Sequence, residues 1–302
     1  MTAGYLYVLC AAVMWGLIGP ASKLAFEAGM APFEVAFWRT VMAWALFGTQ
    51  ALCAGDIRVA RKDVLPVLAF GVCGIAGLFG SYVYAVKLGG AAMASVLLYT
   101  APAWVAVMSY FLLKERMGAL KIAAVAATIL GVAGISLGPR LTGDVAGSVP
   151  VTTASVLVGL LAGFTYALYY IFGKMYLSRY KTPTIFFYAL PVGALALLPF
   201  FELRLPSLSG LAACAFLALC STYGAYSIYY AGLKHLEATR AAVVATIEPV
   251  VAAVLAWIMF GEVFTPVGYL GSLLILFGVL LAIWEGGRQT VRIPKSLLPK
   301  SS

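Results

Sequence analysis

Charge is what this chain has least of. Only 10% of its 302 residues are Asp, Glu, Lys or Arg, and 63% are apolar. Soluble domains carry about 25% charged residues. So little polar material cannot make a water-facing shell, which leaves lipid as the natural solvent. Histidine is nearly absent, and His235 stands alone without ligand partners. The five cysteines (Cys10, Cys53, Cys73, Cys214 and Cys220) have neither metal-ligand nor redox-motif spacing, and they read as small packing residues. No metal and no cofactor are expected. HExxH and GxSxG are missing, and no paired carboxylates lie in the apolar runs, so an intramembrane enzyme is disfavoured. The glycine-rich "GVCGIAGLFG" (Gly71 to Gly80) is not a nucleotide loop, because no strand precedes it and its spacing is wrong. Small residues of this kind pack helices in lipid.

What the chain does have is long uncharged runs. They cover Met1 to Ser22, Val64 to Val86, Leu88 to Leu113, Ile122 to Pro139, Val145 to Gly173, Thr182 to Phe201, Leu205 to Leu233 and Val263 to Trp284. Val35 to Gly55 holds only Arg39, and Ala241 to Gly261 only Glu248. Each is near or above the roughly 18 to 20 residues that a membrane-spanning helix needs. They predict ten spans, too unbroken for barrel strands. No Lys or Arg precedes Lys23, so the basic start of a cleavable signal peptide is missing and the first run reads as a retained helix.

With the N-terminus cytoplasmic, the inside receives Arg58, Arg61, Lys62, Lys114, Arg116, Lys121, Lys174, Arg179, Lys181, Lys234, Arg240, Arg288, Arg292, Lys295 and Lys300. The outside receives Lys23, Lys87, Arg140 and Arg204. This positive-inside bias puts both termini in the cytoplasm. The net charge of +9 is then a topology signal and not a nucleic-acid footprint. The expected protein is a multi-pass resident of the plasma (bacterial inner) membrane, with the lipid bilayer as a partner and no nucleic acid.

The chain also repeats itself. "KLGGAAMASVLLYTAPAWVAVMSYFLLKERMGALKIAAVAATILGV", shifted by 147 residues, lies without a gap over "KHLEATRAAVVATIEPVVAAVLAWIMFGEVFTPVGYLGSLLILFGV". Pro102 falls on Pro249, Glu115 on Glu262 and Gly131 on Gly278. The earlier helices match more weakly, with Lys23 over Lys174 and Pro32 over Pro183 at a shift of 151. Five helices plus five helices give two halves of opposite orientation. Inverted repeats of this kind build alternating-access transporters, with the site near the midplane between the halves.

The mid-helix proline, the spans ending in "LLKERM" and "MFGEVF", the glycine of the next helix, "MWG" (Met14 to Gly16) and Arg39 in "AFWRTV" resemble the EamA repeat of the drug/metabolite transporter superfamily. The second repeat has Leu190 where the first has Arg39. Within the superfamily the chain is most similar to the YddG-type exporters of aromatic and other amino acids. The resemblance implies an all-α membrane protein of ten helices around a central cavity that opens to one side at a time. Its expected parts are a first repeat at 4–138, an extracytoplasmic linker at 139–150, a second repeat at 151–284 and a basic cytoplasmic tail at 285–302.

Ionisable groups within lipid are costly and default to functional candidates. Glu248 lies about ten residues into its span, roughly 15 Å deep, and Arg39 about seven residues in, roughly 10 Å. Glu248 either packs and hydrogen-bonds against neighbouring helices or receives a substrate amine or a coupling proton. Arg39 either makes a structural salt bridge or cap, or holds a substrate carboxylate with two parallel hydrogen bonds. Pro102 and Pro249 each remove a helix donor and crowd the preceding turn, so kinks are expected, with freed carbonyls near Leu98 and Ala245. Such carbonyls must be buried in protein or face water, which turns these helices toward the cavity. Trp15, Phe79, Tyr82, Tyr99, Phe164, Tyr166, Tyr169, Tyr223 and Tyr226 are either packing residues or an aromatic cavity wall that suits aromatic side chains.

These features predict a secondary transporter exporting small amphipathic metabolites, foremost amino acids including aromatic ones, with protons as a possible coupling partner. An exporter of lipophilic cations and a non-transporting structural membrane protein are the competing readings.

Overall fold

The structure, a computed structural model, describes residues 2–55, 57–141, 152–260 and 265–291. All regular elements among them are helical. Helices α1 (Thr2–Gly16) and α2 (Ile18–Glu27) make the first rod, followed by α3 (Pro32–Cys53). Next come α4 (Arg61–Phe70), a π-helical segment (Gly71–Ala76) and α5 (Gly77–Leu98). Helix α6 (Ala101–Met108) continues into a second π segment (Ser109–Leu113), and α7 (Ala119–Leu141) follows. After it come α8 (Thr153–Tyr176) and α9 (Thr182–Leu197). Helix α10 (Leu208–Phe216), a third π segment (Leu217–Gly224) and α11 (Ala225–Leu233) form one rod. The last elements are α12 (Ala238–Ala245), α13 (Glu248–Phe260) and α14 (Pro266–Val291).

Six stretches among the described residues are long and apolar enough to cross a membrane. They are Ala3–Glu27, Arg61–Ala85, Thr153–Tyr176, Thr182–Phe200, Leu208–Leu233 and Pro266–Glu285. Ala101–Leu113 and Ala119–Gly134 are shorter apolar helices. At 22 residues, α3 has the length, but Arg39 and Gln50 dilute its apolarity. The expected linker and basic tail lie largely outside the described residues, as does Glu262.

Caps mark where the rods begin. Glu34 accepts the Ala31 N–H at 2.7 Å, next to Pro32 at the first position of α3. Thr152 and Ser155 bond each other's backbone N–H at 3.1 and 2.9 Å at the start of α8. Side chains thus satisfy N–H groups that a helix leaves free at its first turn.

The two prolines do more than kink their helices. The chain leaves the helix for two residues before each new start, at Tyr99–Thr100 and at Thr246–Ile247. Pro102 and Pro249 then sit near the beginning of a fresh helix, where a missing N–H does no harm. Under the 147-residue shift the two interruptions coincide. They even share a bond, Thr100 N–H to the Leu97 carbonyl at 3.2 Å and Ile247 N–H to the Val244 carbonyl at 3.3 Å. The π segments Gly71–Ala76 and Leu217–Gly224 also overlie one another under this shift.

Helix α8 packs closely on the first interruption because Gly163 lacks a side chain. A Cβ there would lie 2.5 Å from both the Leu97 carbonyl oxygen and Thr100 Oγ1. Gly159 likewise accommodates Leu97, while Thr165 of the same helix touches Gly77. Both ends of α5 therefore meet the middle of α8. A straight helix of 22 residues would separate its ends by roughly 33 Å, so α5 turns back on itself. We expect Gly163→Val to destabilise the protein by about 1–3 kcal/mol through overpacking, read as a lower midpoint of thermal unfolding in detergent.

Helices α7 and α14 cross through glycines. A Cβ on Gly131 would lie 2.6 Å from the Gly271 carbonyl and 2.7 Å from the Ile275 side chain. One on Gly278 would lie 2.9 Å from both the Ala124 carbonyl and Thr128 Cγ2. The shift of 147 carries Gly131 to Gly278, Ala124 to Gly271 and Thr128 to Ile275. The contact is thus reciprocal, as a two-fold interface requires. Close backbone approach through small residues is also how helices associate in lipid.

Candidate functional site

The second interruption makes Glu248 the first residue of α13. A carboxylate there meets the positive end of the helix dipole. The matching start of α6 is Ala101, buried and uncharged. Tyr166 Oη of α8 donates to Glu248 Oε2 at 3.2 Å. Tyr99, from the first interruption, also lies beside the carboxylate, within reach of its charge. The two interruptions therefore meet at one carboxylate. Tyr82 lies within electrostatic reach of Tyr99, and the Tyr170 ring sits edge-on to Tyr166 at 5.5 Å. Glu248, Tyr99, Tyr166, Tyr82 and Phe79 all keep some accessible surface although their partners come from different helices.

Arg39 of α3 is the cation of the site. It is 7% exposed, and its guanidinium carbon lies 4.9 Å from the centroid of the Phe79 ring. Its Nε has no hydrogen-bond partner. Of the roles weighed for it, a structural salt bridge does not occur among the described residues, and Glu34 of the same helix caps the helix start. Glu248, Tyr169 and Tyr226 lie within reach of the Arg39 charge.

An aromatic block supports this end of the site. Tyr169 and Tyr226 stack at 5.5 Å with planes 11° apart. Trp15 packs edge-on against Tyr226 at 5.5 Å and lies 5.1 Å from Tyr229. Phe186 contacts Tyr226 and Tyr230 at 5.1 and 5.4 Å. The Tyr230 hydroxyl donates to the Tyr169 carbonyl at 3.2 Å. Trp15, Tyr169 and Tyr226 are buried in this block, so packing is their visible role.

Phe164 and Tyr223 were also expected in the wall. The Phe164 ring sits edge-on to Trp104 at 5.6 Å, and that of Tyr223 lies 4.8 Å from Phe47. Tyr170, Tyr229, Phe47 and Phe186 were not among the predicted site residues. Tyr170 had a usable signal, since it lies four residues from Tyr166 on the same helix face. Tyr229 had the same signal, three residues from Tyr226, and among the described residues its buried hydroxyl has no hydrogen-bond partner. Among the described residues no three His, Cys, Asp or Glu side chains gather as a metal would require.

The EamA-like transporter family matches residues 2–137 and again 153–284. The chain is 27% identical to the "Uncharacterized inner membrane transporter YicL" of Salmonella typhimurium, over 95% of this chain and 97% of that one. It is 30% identical to an "Uncharacterized transporter" of Archaeoglobus fulgidus, over 89% and 94%. It is 29% identical to a "Probable terminal-alkyne amino-acid exporter" of Streptantibioticus cattleyicolor, over 89% of each. A solved crystal structure shares the fold with a TM-score of 0.81 at 20% identity, over 96% of this chain and 99% of the other.

Proposed function

The chain belongs to the EamA-like transporter family, and from that premise we propose that it is a secondary active transporter exporting amino acids, aromatic ones included, by alternating access. It is a multi-pass protein of the bacterial inner membrane, and its named relatives are transporters. The proposed architecture is ten helices in two inverted repeats, 4–138 and 151–284, around a central cavity. The two family matches, the coincident interruptions and the reciprocal crossing of α7 and α14 support it.

The observation that carries the substrate class is the meeting of Glu248, Tyr99 and Tyr166 with a buried Arg39 nearby. An amino acid presents an ammonium and a carboxylate at one end and a side chain at the other. Glu248 suits the first and Arg39 the second, while Phe79, Tyr82 and the tyrosines suit an aromatic side chain. One relative is named as an amino-acid exporter, which favours the same class. A lipophilic cation would also satisfy Glu248, but Arg39 would repel it.

The test is counterflow into liposomes that contain the purified protein and are loaded with Phe, Trp, Thr or Met. Exchange of at least one labelled amino acid above protein-free liposomes is the expected result. No exchange of any amino acid would sink the substrate reading.

A further inference from the structure

Charged side chains tie together several helix ends and the loops between them. Glu115, in the loop before α7, reaches across to the start of α12. Its Oε1 accepts the Ala238 N–H at 2.6 Å, and its Oε2 accepts the Thr239 hydroxyl at 2.8 Å. Lys121 Nζ donates to Glu237 Oε2 at 2.6 Å and to the Arg116 carbonyl at 2.9 Å. Arg240 pairs with Glu285 at 2.8 Å and with Glu237 at 3.3 Å. Lys174 donates to the Leu233 and Leu236 carbonyls at 2.8 and 2.5 Å. Beside it, Asp63 accepts from the Tyr180 hydroxyl at 2.7 Å and pairs with Arg179 at 3.2 Å. Three of these ties join the first half of the chain to the second. Lys121 and Arg240 are almost wholly buried, so they act in a low-dielectric setting where breaking a pair matters far more than at the surface. Arg179 is more than half exposed, and its pair contributes little.

The internal repeat shows what this end would look like without its charges. Shifted by 147, Lys121 falls on Gly268, Glu237 on Gly90, Arg240 on Met93, Glu285 on Gly138 and Asp63 on Gly210. Of these network charges, Glu115 keeps a charged counterpart in Glu262, and Lys174 keeps one in Lys23 at the shift of 151. Two ends related by the repeat thus differ in the ion pairs that their sequences can form. We propose that Lys121, Glu237, Arg240 and Glu285, together with the Glu115 cap on α12, form a one-sided latch. It holds the end rich in basic loops closed and sets the balance between the two access states. The positions that overlie these four latch residues at the opposite end, Gly268, Gly90, Met93 and Gly138, carry no charge, so the resting protein favours the state closed at the latch.

This inference rests on the transporter reading, but its test does not require the substrate. The five native cysteines are replaced, and a single reporter, Tyr99→Cys, is placed beside Glu248. A membrane-impermeant maleimide is then applied to right-side-out or inside-out vesicles. With the latch intact, labelling from the cytoplasmic side is expected to be slow and labelling from the outside fast. The double variant Lys121→Gln/Glu237→Gln removes both charges together, so neither is left buried alone. It is expected to raise cytoplasmic labelling by roughly tenfold, within the range of ordinary coupling between states, and to lower labelling from outside. An unchanged side preference would overturn the latch, and so would a rise from both sides, which marks general loosening. Failed amino-acid exchange with the labelling shift intact would reject the substrate and leave the latch standing.

Discussion

Replacing Glu248 by Gln is expected to lower amino-acid exchange by roughly 10- to 100-fold, the value of a hydrogen bond to a charged group when it is lost. The substitution is nearly isosteric. Gln can still accept the Tyr166 hydroxyl and lie beside Tyr99, so the junction between the two helix interruptions should survive. What it loses is the negative charge at the start of α13, and with it the partner for an ammonium group. It also loses the ability to take up a proton, so any variation of exchange with pH that arises at this site should flatten. Tyr166→Phe removes one hydrogen-bond donor to the carboxylate and keeps the charge that would meet the ammonium, so its effect should be smaller, about two- to tenfold. Initial rates at matched protein incorporation, measured across a pH series, separate the cases. If the Gln variant exchanges at the parental rate with the parental pH profile, Glu248 is architectural and the substrate site lies elsewhere.

Why that carboxylate could be found in the sequence is a matter of contrast. A single Glu in an apolar run is visible because nothing around it is charged. The prolines were visible for a related reason, since Pro102 and Pro249 recur in one register. Their effect was stronger than a kink. Each interruption lasts two residues, and this places Glu248 at a helix start, against the positive end of the helix dipole. The aromatic assignments fared differently. In a soluble helix, polar residues mark the outer face, but in lipid every face is apolar. Spacing alone could not tell that Tyr166 meets Glu248 while Phe164, two residues away, packs on Trp104. Nor could it bring Trp15 to Tyr229, more than 200 positions along the chain. Lys121 and Glu237 had the same difficulty. Their charges announced a membrane surface, but a pair 116 residues apart leaves no local signature.

Arg39 gives the second large effect, and its test separates recognition from packing. Its guanidinium rests on Phe79, its Nε is unpartnered, and it forms no ion pair among the described residues. With Glu248 near but not paired to it, this buried cation lacks a contacting anion to offset its desolvation. An incoming carboxylate would supply it. Arg39→Leu is therefore expected to lower phenylalanine exchange by roughly 10- to 100-fold. Phenethylamine, which lacks the carboxylate, should be affected far less and could bind better, because the repelling charge is gone. Arg39→Lys keeps the charge but not the planar fork, so it should recover only part of the phenylalanine rate. If Arg39 merely held α3 against its neighbours, removing it would impair both solutes alike. Competition of unlabelled phenethylamine and phenylalanine against labelled phenylalanine therefore decides the matter: a ratio unchanged between parent and Arg39→Leu would remove the carboxylate anchor from the site.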